Sequence, residues 1–339
     1  NGADDRGIVS AFLYRADRIE LLPADGADPV LGSSPTVDYR GDALSYNTDV
    51  QNPKALNADL PDDVDLSTGV DGSNVFTRPP QVGLFRLWRD GIGTSVFIDL
   101  YLLSNHFSST PDARVGQRQE QALYNAAIVT ALQAVNPDVR LAVGGDLNVY
   151  PRPDDPFAPG NPRYPSDQLG ALYDQGLANL FDQLVAEVPV SAYSYIFQGQ
   201  TQTLDQIFVT ASLLPELVQV RAAHINSDFP ADYAGDGARG ASDHDPQVAR
   251  NSVQPTLDRL EALVSYYDAN GMITGRNITR ILLQRIQRAR EFEANGQMDA
   301  YRDQLLAFIS QVRDFTPPFI TQTASDALVQ ETELLLMLP

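Results

Sequence analysis

The sequence predicts an α/β domain over residues 1–252, followed by a small all-α, four-helix domain over 253–339. Three observations carry that reading. The first 250 residues alternate short apolar runs with loops rich in Gly, Pro, Asp and Asn; one long stretch repeats apolar residues at helical spacing; and the texture turns helical after Gln254-Pro255. At 339 residues and 43% hydrophobic content the chain can bury two separate cores.

In chain order, strand-like runs fall at 8–14, 82–88, 96–103, 139–143, 204–209 and 218–222, while 118–134 carries helical periodicity. Between residues 31 and 77 the chain is polar and aperiodic, with turn signals at Asn52-Pro53, Thr68-Gly69 and Asp71-Gly72. A connection of that length is expected to be functional or mobile. Helices are predicted at 257–269, 277–294, 298–315 and 323–338, with breaks at Asn270-Gly271, Asn295-Gly296 and Pro317-Pro318. In the second of them Ile278, Ile281, Leu282, Ile286 and Ala289 form an apolar stripe, and Arg280, Arg285, Arg288 and Arg290 belong mostly to a solvated face.

A net charge of −20 excludes a binder that works through a broad basic surface, so any polyanionic substrate must meet local positive charge. Lys54 is the single lysine; the other 23 basic residues are arginines, whose fork suits a phosphate. Without cysteine there is neither a disulfide framework nor a thiolate zinc site. No run of 18 apolar residues occurs, so no membrane span is expected. The start, Asn1-Gly2-Ala3-Asp4-Asp5, has no initiator methionine or signal peptide and reads as a cut end.

Candidate chemistry sits in four small clusters at the ends of apolar runs. His106 follows the run 96–103, where an imidazole can act as acid, base or donor. Asp146 and Asn148 lie in Gly144-Gly145-Asp146-Leu147-Asn148, a carboxylate and an amide suited to a hard cation or a phosphate oxygen. Asp205 opens the apolar run 204–209, where an unpaired aspartate would be costly. Ser242-Asp243-His244-Asp245-Pro246 sets acids beside an imidazole. Taken alone, His106 reads as a structural histidine, Gly-Asp-x-Asn equally as a strand-to-turn transition and Asp-His-Asp as a surface turn; the order of the clusters along the chain is the specific signal.

The ordered set Asn105-His106-Phe107, Gly145-Asp146-Leu147-Asn148, Leu204-Asp205-Gln206-Ile207 and Ser242-Asp243-His244-Asp245-Pro246 resembles the endonuclease/exonuclease/phosphatase superfamily, the DNase-I-like fold, in its secreted bacterial nuclease form. Residues 12–19 are similar to that family's central strand, Phe76-Thr77-Arg78-Pro79-Pro80 to its arginine-bearing strand entry, and Arg118 and Gln121 fit the helix after the His106 loop. The resemblance covers about residues 6 to 250 and implies a four-layer sandwich of two mixed sheets flanked by helices. It implies a divalent-metal-dependent phosphodiesterase, with Mg²⁺, or Mn²⁺ or Ca²⁺, as cofactor. It assigns catalysis to His106, Asp146, Asn148, Asp205, Asp243 and His244, with His106 as acid and Asp243 orienting His244. By the same analogy Asp146, Asn148 and Asp243 hold metal, and Arg78, Asn105 and Arg118 contact the substrate phosphate.

The family's opening strand with its asparagine, and its Gln-Glu pair, have no counterpart in residues 1–339. The expectation is therefore that a separate amino-terminal segment or chain completes one sheet and covers its edge. The tail, with Leu257-Asp258-Arg259-Leu260, Gly271-Met272-Ile273, Leu282-Leu283, Ala300 and Leu305-Leu306-Ala307-Phe308-Ile309, is similar to the FIMAH module of extracellular bacterial enzymes. That similarity implies a protein or cell-surface partner and a secreted or cell-surface setting. The resulting expectation is an extracellular nuclease. Two alternatives share the fold: a hydrolase of phospholipid head groups or small phosphate esters, and a catalytically impaired surface or assembly protein.

Overall fold

In a computed structural model, residues 8–43, 48–110, 113–152, 167–229 and 242–338 are described, so the first five residues and the reading placed on them lie outside. The chain runs through β1 (Ile19–Leu21), β2 (Asp38–Tyr39), β3 (Asp42–Ala43), β4 (Lys54–Ala55), β5 (Gln81–Trp88) and β6 (Phe97–His106) into the long helix α1 (Val115–Val135). β7 (Leu141–Asp146), α2 (Gly170–Asp174), β8 (Ala178–Asn179) and α3 (Leu180–Glu187) come next, then β9 (Tyr195–Phe197), β10 (Gln200–Gln202), β11 (Asp205–Val209), β12 (Leu217–Ala222) and β13 (Gln247–Asn251). Four helices close the chain: α4 (Leu257–Ala269), α5 (Arg276–Ala294), α6 (Met298–Asp314) and α7 (Gln322–Met337). The fold is mixed α/β with a helical tail, as the sequence predicts.

Among the described residues the largest sheet has seven strands in the order β1-β5-β6-β7-β11-β8, with β4 beside β5. β6 and β7 are parallel, which requires a crossover, and α1 supplies it. β11 returns antiparallel to β7. The other described sheets, β2–β3, β9–β10 and β12–β13, have two strands each.

The chain divides into two compact units. The first comprises residues 1–13, 21–85 and 100–251. Its core packs α1 residues Ile128, Val129 and Leu132 with the strand residues Leu103, Leu141 and Val143. α1 lacks a clear apolar stripe because both its polar and apolar faces are covered, with Gln117, Arg118, Gln121 and Asn125 buried. The segment 31–77, expected to be functional or mobile, is packed in part on this helix. Tyr39 and Phe76 lie against Tyr124 at 5.1 and 5.4 Å between ring centroids, and Gln121 donates to the Val75 carbonyl at 2.7 Å. Its few apolar residues suffice because Leu31, Val37, Leu56, Val75 and Phe76 are all buried.

The strand expected at 8–14 does not form, and pairing begins at Ile19. Leu13 is fully exposed and Val9 is 53% exposed; Phe12 packs edge-on against Phe85 at 5.1 Å between ring centroids, but the run forms no strand, because apolar character alone does not supply pairing.

The second unit comprises residues 14–20, 86–99 and 252–339. The helices end within a residue or two of their predicted limits, capped by Thr256 on α4 and Thr321 on α7. Their core includes Leu260, Leu263, Leu282, Leu305, Phe308 and Leu328, and it takes in Trp88, Val96 and Phe97 from the turn between β5 and β6. Glu331 is completely buried, pairing with Arg89 at 2.6 Å and accepting from the Val96 amide at 3.1 Å. The sequence reading had assigned this turn to the first domain. Among the described residues no helix is long and apolar enough to cross a membrane.

Candidate active site

Register brings the site together. In the β6–β7 pair His106 lies opposite Asp146, and in the β7–β11 pair Asp146 lies opposite Asp205, so three predicted residues share one end of three adjacent strands. His244 joins them through a backbone bridge to Tyr195 and through its Nδ1, 2.7 Å from Asp205 Oδ2. Asp146, Asp205 and His244 each offer a ligand atom, all within 4.8 Å of one another, and could hold a metal ion. They line a cleft of about 1120 Å³ together with Arg78, His106 and Asn148.

Two local features fix the Asp146 carboxylate. Gly145 is at φ +135°, and a Cβ there would lie 2.0 Å from the Asn105 carbonyl oxygen, so only glycine permits β6 and β7 to approach at this point. Asn148 is left-handed at φ +51°; its backbone N–H donates to Asp146 Oδ1 at 2.9 Å and its side-chain amide to Oδ2 at 3.0 Å. Asn148 therefore orients Asp146 through its nitrogens, which leaves its carbonyl oxygen as the atom suited to a cation.

Burial, followed by the neighbouring charge of Asp205, pushes the Asp146 carboxyl up to about 6. At His244 burial disfavours the imidazolium, yet the hydrogen bond and charge of Asp205, with Asp146 and Asp243 behind them, outweigh it and push the ring up to about 9. The imidazolium of His244 thus compensates the two half-buried aspartates, and the Asp146 carboxyl takes up a proton only as pH falls through about 6. A hard divalent cation fits the same place, because the donors are carboxylate oxygens, an amide oxygen and one imidazole, with no thiolate.

The other predicted residues divide. Arg78 lines the cleft, with its Nη1 2.7 Å from His106 Nε2. The same His106 Nε2 lies 3.3 Å from Asp146 Oδ2, so the ring sits between a guanidinium and a carboxylate. Asn105 and Arg118, expected on the phosphate, are structural instead. Asn105 is buried and accepts from Asn125 at 2.9 Å. Arg118 is fully buried and donates to Gln168 at 2.6 Å and to the Ser108 carbonyl at 2.8 Å, pinning the chain after His106. Asp243 is exposed at the cleft rim, and it is Asp205 that orients His244.

Asp245, next to His244, faces away from the cleft residues into a buried hydrogen-bond network. Its buried carboxylate accepts the backbone amides of Ile225 and Asn226 at 2.8 Å each and the hydroxyl of Ser227, and it lies 3.2 Å from His224 Nδ1. Asn226 in turn donates to the His244 carbonyl at 2.9 Å. The sequence reading also missed Tyr150, Tyr195 and Phe197, which line the cleft. The alternation Tyr193-x-Tyr195-x-Phe197 before the Gln198-Gly199 turn was the available signal, a hairpin strand with aromatics on one face.

Residues 257–337 match the FIMAH domain family, in agreement with the reading of the tail from its apolar spacing. No curated protein matches the chain. Among solved structures it is similar to an AP endonuclease from Archaeoglobus fulgidus, at 19% identity and TM-score 0.33, covering 50% of this chain and 65% of that one. It is also similar to an endonuclease/exonuclease/phosphatase from Bacteroides vulgatus, at 16% identity and TM-score 0.33 over 59% and 64% of the two chains. A 3′ phosphatase from Neisseria bound to a product DNA hairpin matches at 14% identity and TM-score 0.32 over 52% and 66%. The chain spans a little under two thirds of the length of each of these proteins.

Proposed function

We propose that the chain is a divalent-metal-dependent phosphodiester hydrolase acting on nucleic acid outside the cell, with Mg²⁺, Mn²⁺ or Ca²⁺ as its ion. The observation that carries this reading is the convergence of Asp146, Asp205 and His244 on one end of the main sheet, beside Asn148 and Arg78. The four ordered motifs that resemble the nuclease superfamily supply the same residues, and the FIMAH match supports the extracellular setting and a cell-surface or protein partner for the helical unit.

Hydrolysis forms one P–O bond from water and breaks another, with a proton leaving the water and one reaching the departing oxygen. Asp146, Asp205 and Asn148 would hold the cation, which when bound supplies positive charge to the non-bridging oxygens. His244, kept in one orientation by Asp205, presents its Nε2–H as a donor where negative charge develops. Arg78 places a fixed cation on the same cleft.

Isothermal titration of Mn²⁺ into the chain, run beside supercoiled plasmid cleavage, tests the proposal. We expect micromolar to millimolar binding that Asp146→Asn abolishes, and nicking that His244→Ala lowers by at least about 100-fold. A chain that binds no divalent ion and leaves plasmid intact would be the assembly protein of the alternative reading.

A further inference from the structure

The cleft contains more than the ion-binding chemistry requires. Tyr195 sits beside the reactive imidazole, its ring 4.7 Å from that of His244 at 31°. Phe197, two residues along the same strand, lies nearly parallel to Tyr195, at 6.3 Å and 15°. Both line the cleft, yet Phe197 remains 50% exposed. The β9–β10 hairpin that carries them closes through Gln198 and Gly199, both left-handed at φ 50° and 82°, a tight turn that fixes the strand ends.

We propose that the Tyr195–Phe197 row is a stacking surface for the nucleobases that flank the scissile phosphate, and that the substrate is therefore single-stranded or locally unpaired nucleic acid. This rests on the hydrolase reading above. The charge distribution supports it: among the described residues the cleft sets Arg78 and the His244 imidazolium against Asp146, Asp205 and Asp243, in a chain of net charge −20. Tracking a duplex through its phosphates needs several cations, more than the described residues of this cleft supply. Recognition then has to come from surface that does not depend on charge, which flat aromatic rings provide to any base. In a duplex the base faces are buried against each other; only unpaired bases present a face to Phe197.

The test is fluorescence anisotropy with the full chain in Ca²⁺, using a short labelled single strand, its duplex, and the same strand with abasic sugars at its centre. The wild-type chain is expected to bind the single strand more tightly than the duplex and to lose about 5- to 100-fold on the abasic strand. Phe197→Ala should weaken single-strand binding by a similar factor and bring the based and abasic strands to equal affinity, whereas Phe197→Trp should retain the preference. Because Phe197 is half exposed, near-UV circular dichroism of the variant separates a binding defect from misfolding. Equal wild-type affinity for the based and abasic strands, or a preference for the duplex, overturns the inference. Displacement by phosphatidylcholine vesicles, with no effect of oligonucleotide, would assign the row to lipid and overturn it as well. Mg²⁺-dependent cleavage of the labelled single strand by the same preparations keeps the two readings apart. Cleavage with base-indifferent binding overturns the stacking surface alone; base-dependent binding without cleavage overturns hydrolysis alone.

Discussion

Asp146 sits where burial and the charge of Asp205 both oppose ionisation, and its carboxyl is pushed up to about 6. A cation bound there must displace the proton, so affinity for Mn²⁺ is expected to fall about tenfold for each pH unit below 6 and to level off above it, which calorimetry between pH 5 and about 8 would show. A flat profile would remove Asp146 from the ligand set. In the Asp205→Asn variant His244 loses the carboxylate charge and keeps at most a neutral amide acceptor, so its ring titration should move down from about 9. With three histidines in the sequence, that signal can be followed by NMR. Asp245 behaves in the opposite sense: burial works against its charge, but hydrogen bonds from Ser227 and from the backbone of Asn226 and Ser227 hold it below its ordinary 3.8. A depressed carboxylate stabilises the fold above the ordinary pKa and loses that contribution as pH falls through the lower folded value. The amides of Ile225 and Asn226 should therefore lose hydrogen-exchange protection only in acid below that range. At this scale Asp146 and Asp205 were legible because each ends or opens an apolar run, and His244 because its acid-flanked cluster completes their order along the chain. Asn105 and Arg118 were misread because residue type reports what a side chain can bind, whereas burial decides what it does bind.

Among the elements, the β6–β7 contact depends most on a single residue. Gly145→Ala would place a methyl 2.0 Å from the Asn105 oxygen at φ +135°, and the strands must separate. We expect a loss of at least about 2 kcal/mol in chemical denaturation, together with loss of ion binding as Asp146 leaves register. Strands β5, β6, β7 and β11 were visible as apolar runs bounded by turns, and α1 as a periodicity. The run 8–14 looks the same by composition but lacks pairing, which is a non-local property. The segment 31–77 reads as a loose loop, yet it packs in part on α1 because a few widely spaced residues, Tyr39 and Phe76 among them, meet one helix. Sequence periodicity does not register contacts of that kind.

For the whole molecule, the helical unit extends beyond the 257–337 match. Trp88, Val96 and Phe97 fill its core and Arg89 neutralises the buried Glu331. Glu331→Ala should cost about 3 kcal/mol, the low end for breaking a buried pair because Arg89 keeps Asp90 at 2.9 Å. An excised fragment starting at Ser252 should unfold at lower denaturant than the same helices in the intact chain, as followed by circular dichroism at 222 nm, a wavelength that reports helix. Net charge makes a separate prediction. If stacking rather than phosphate contact supplies affinity, the slope of log affinity for a single strand against log salt should be no steeper than about −2.

The sequence by itself determined the fold class, the four tail helices, the absence of thiolate chemistry and the identity of the residues that converge at the strand ends. These are properties of local spacing and composition. Tertiary structure alone decided which carboxylate holds His244, which arginine faces the cleft, and which unit the turn between β5 and β6 belongs to. Those outcomes depend on strand register and burial, which are set by contacts between residues far apart in the chain. The pairing of Asp205 with His244, 39 residues apart, is one such contact, and it joins two residues that the sequence could only show separately.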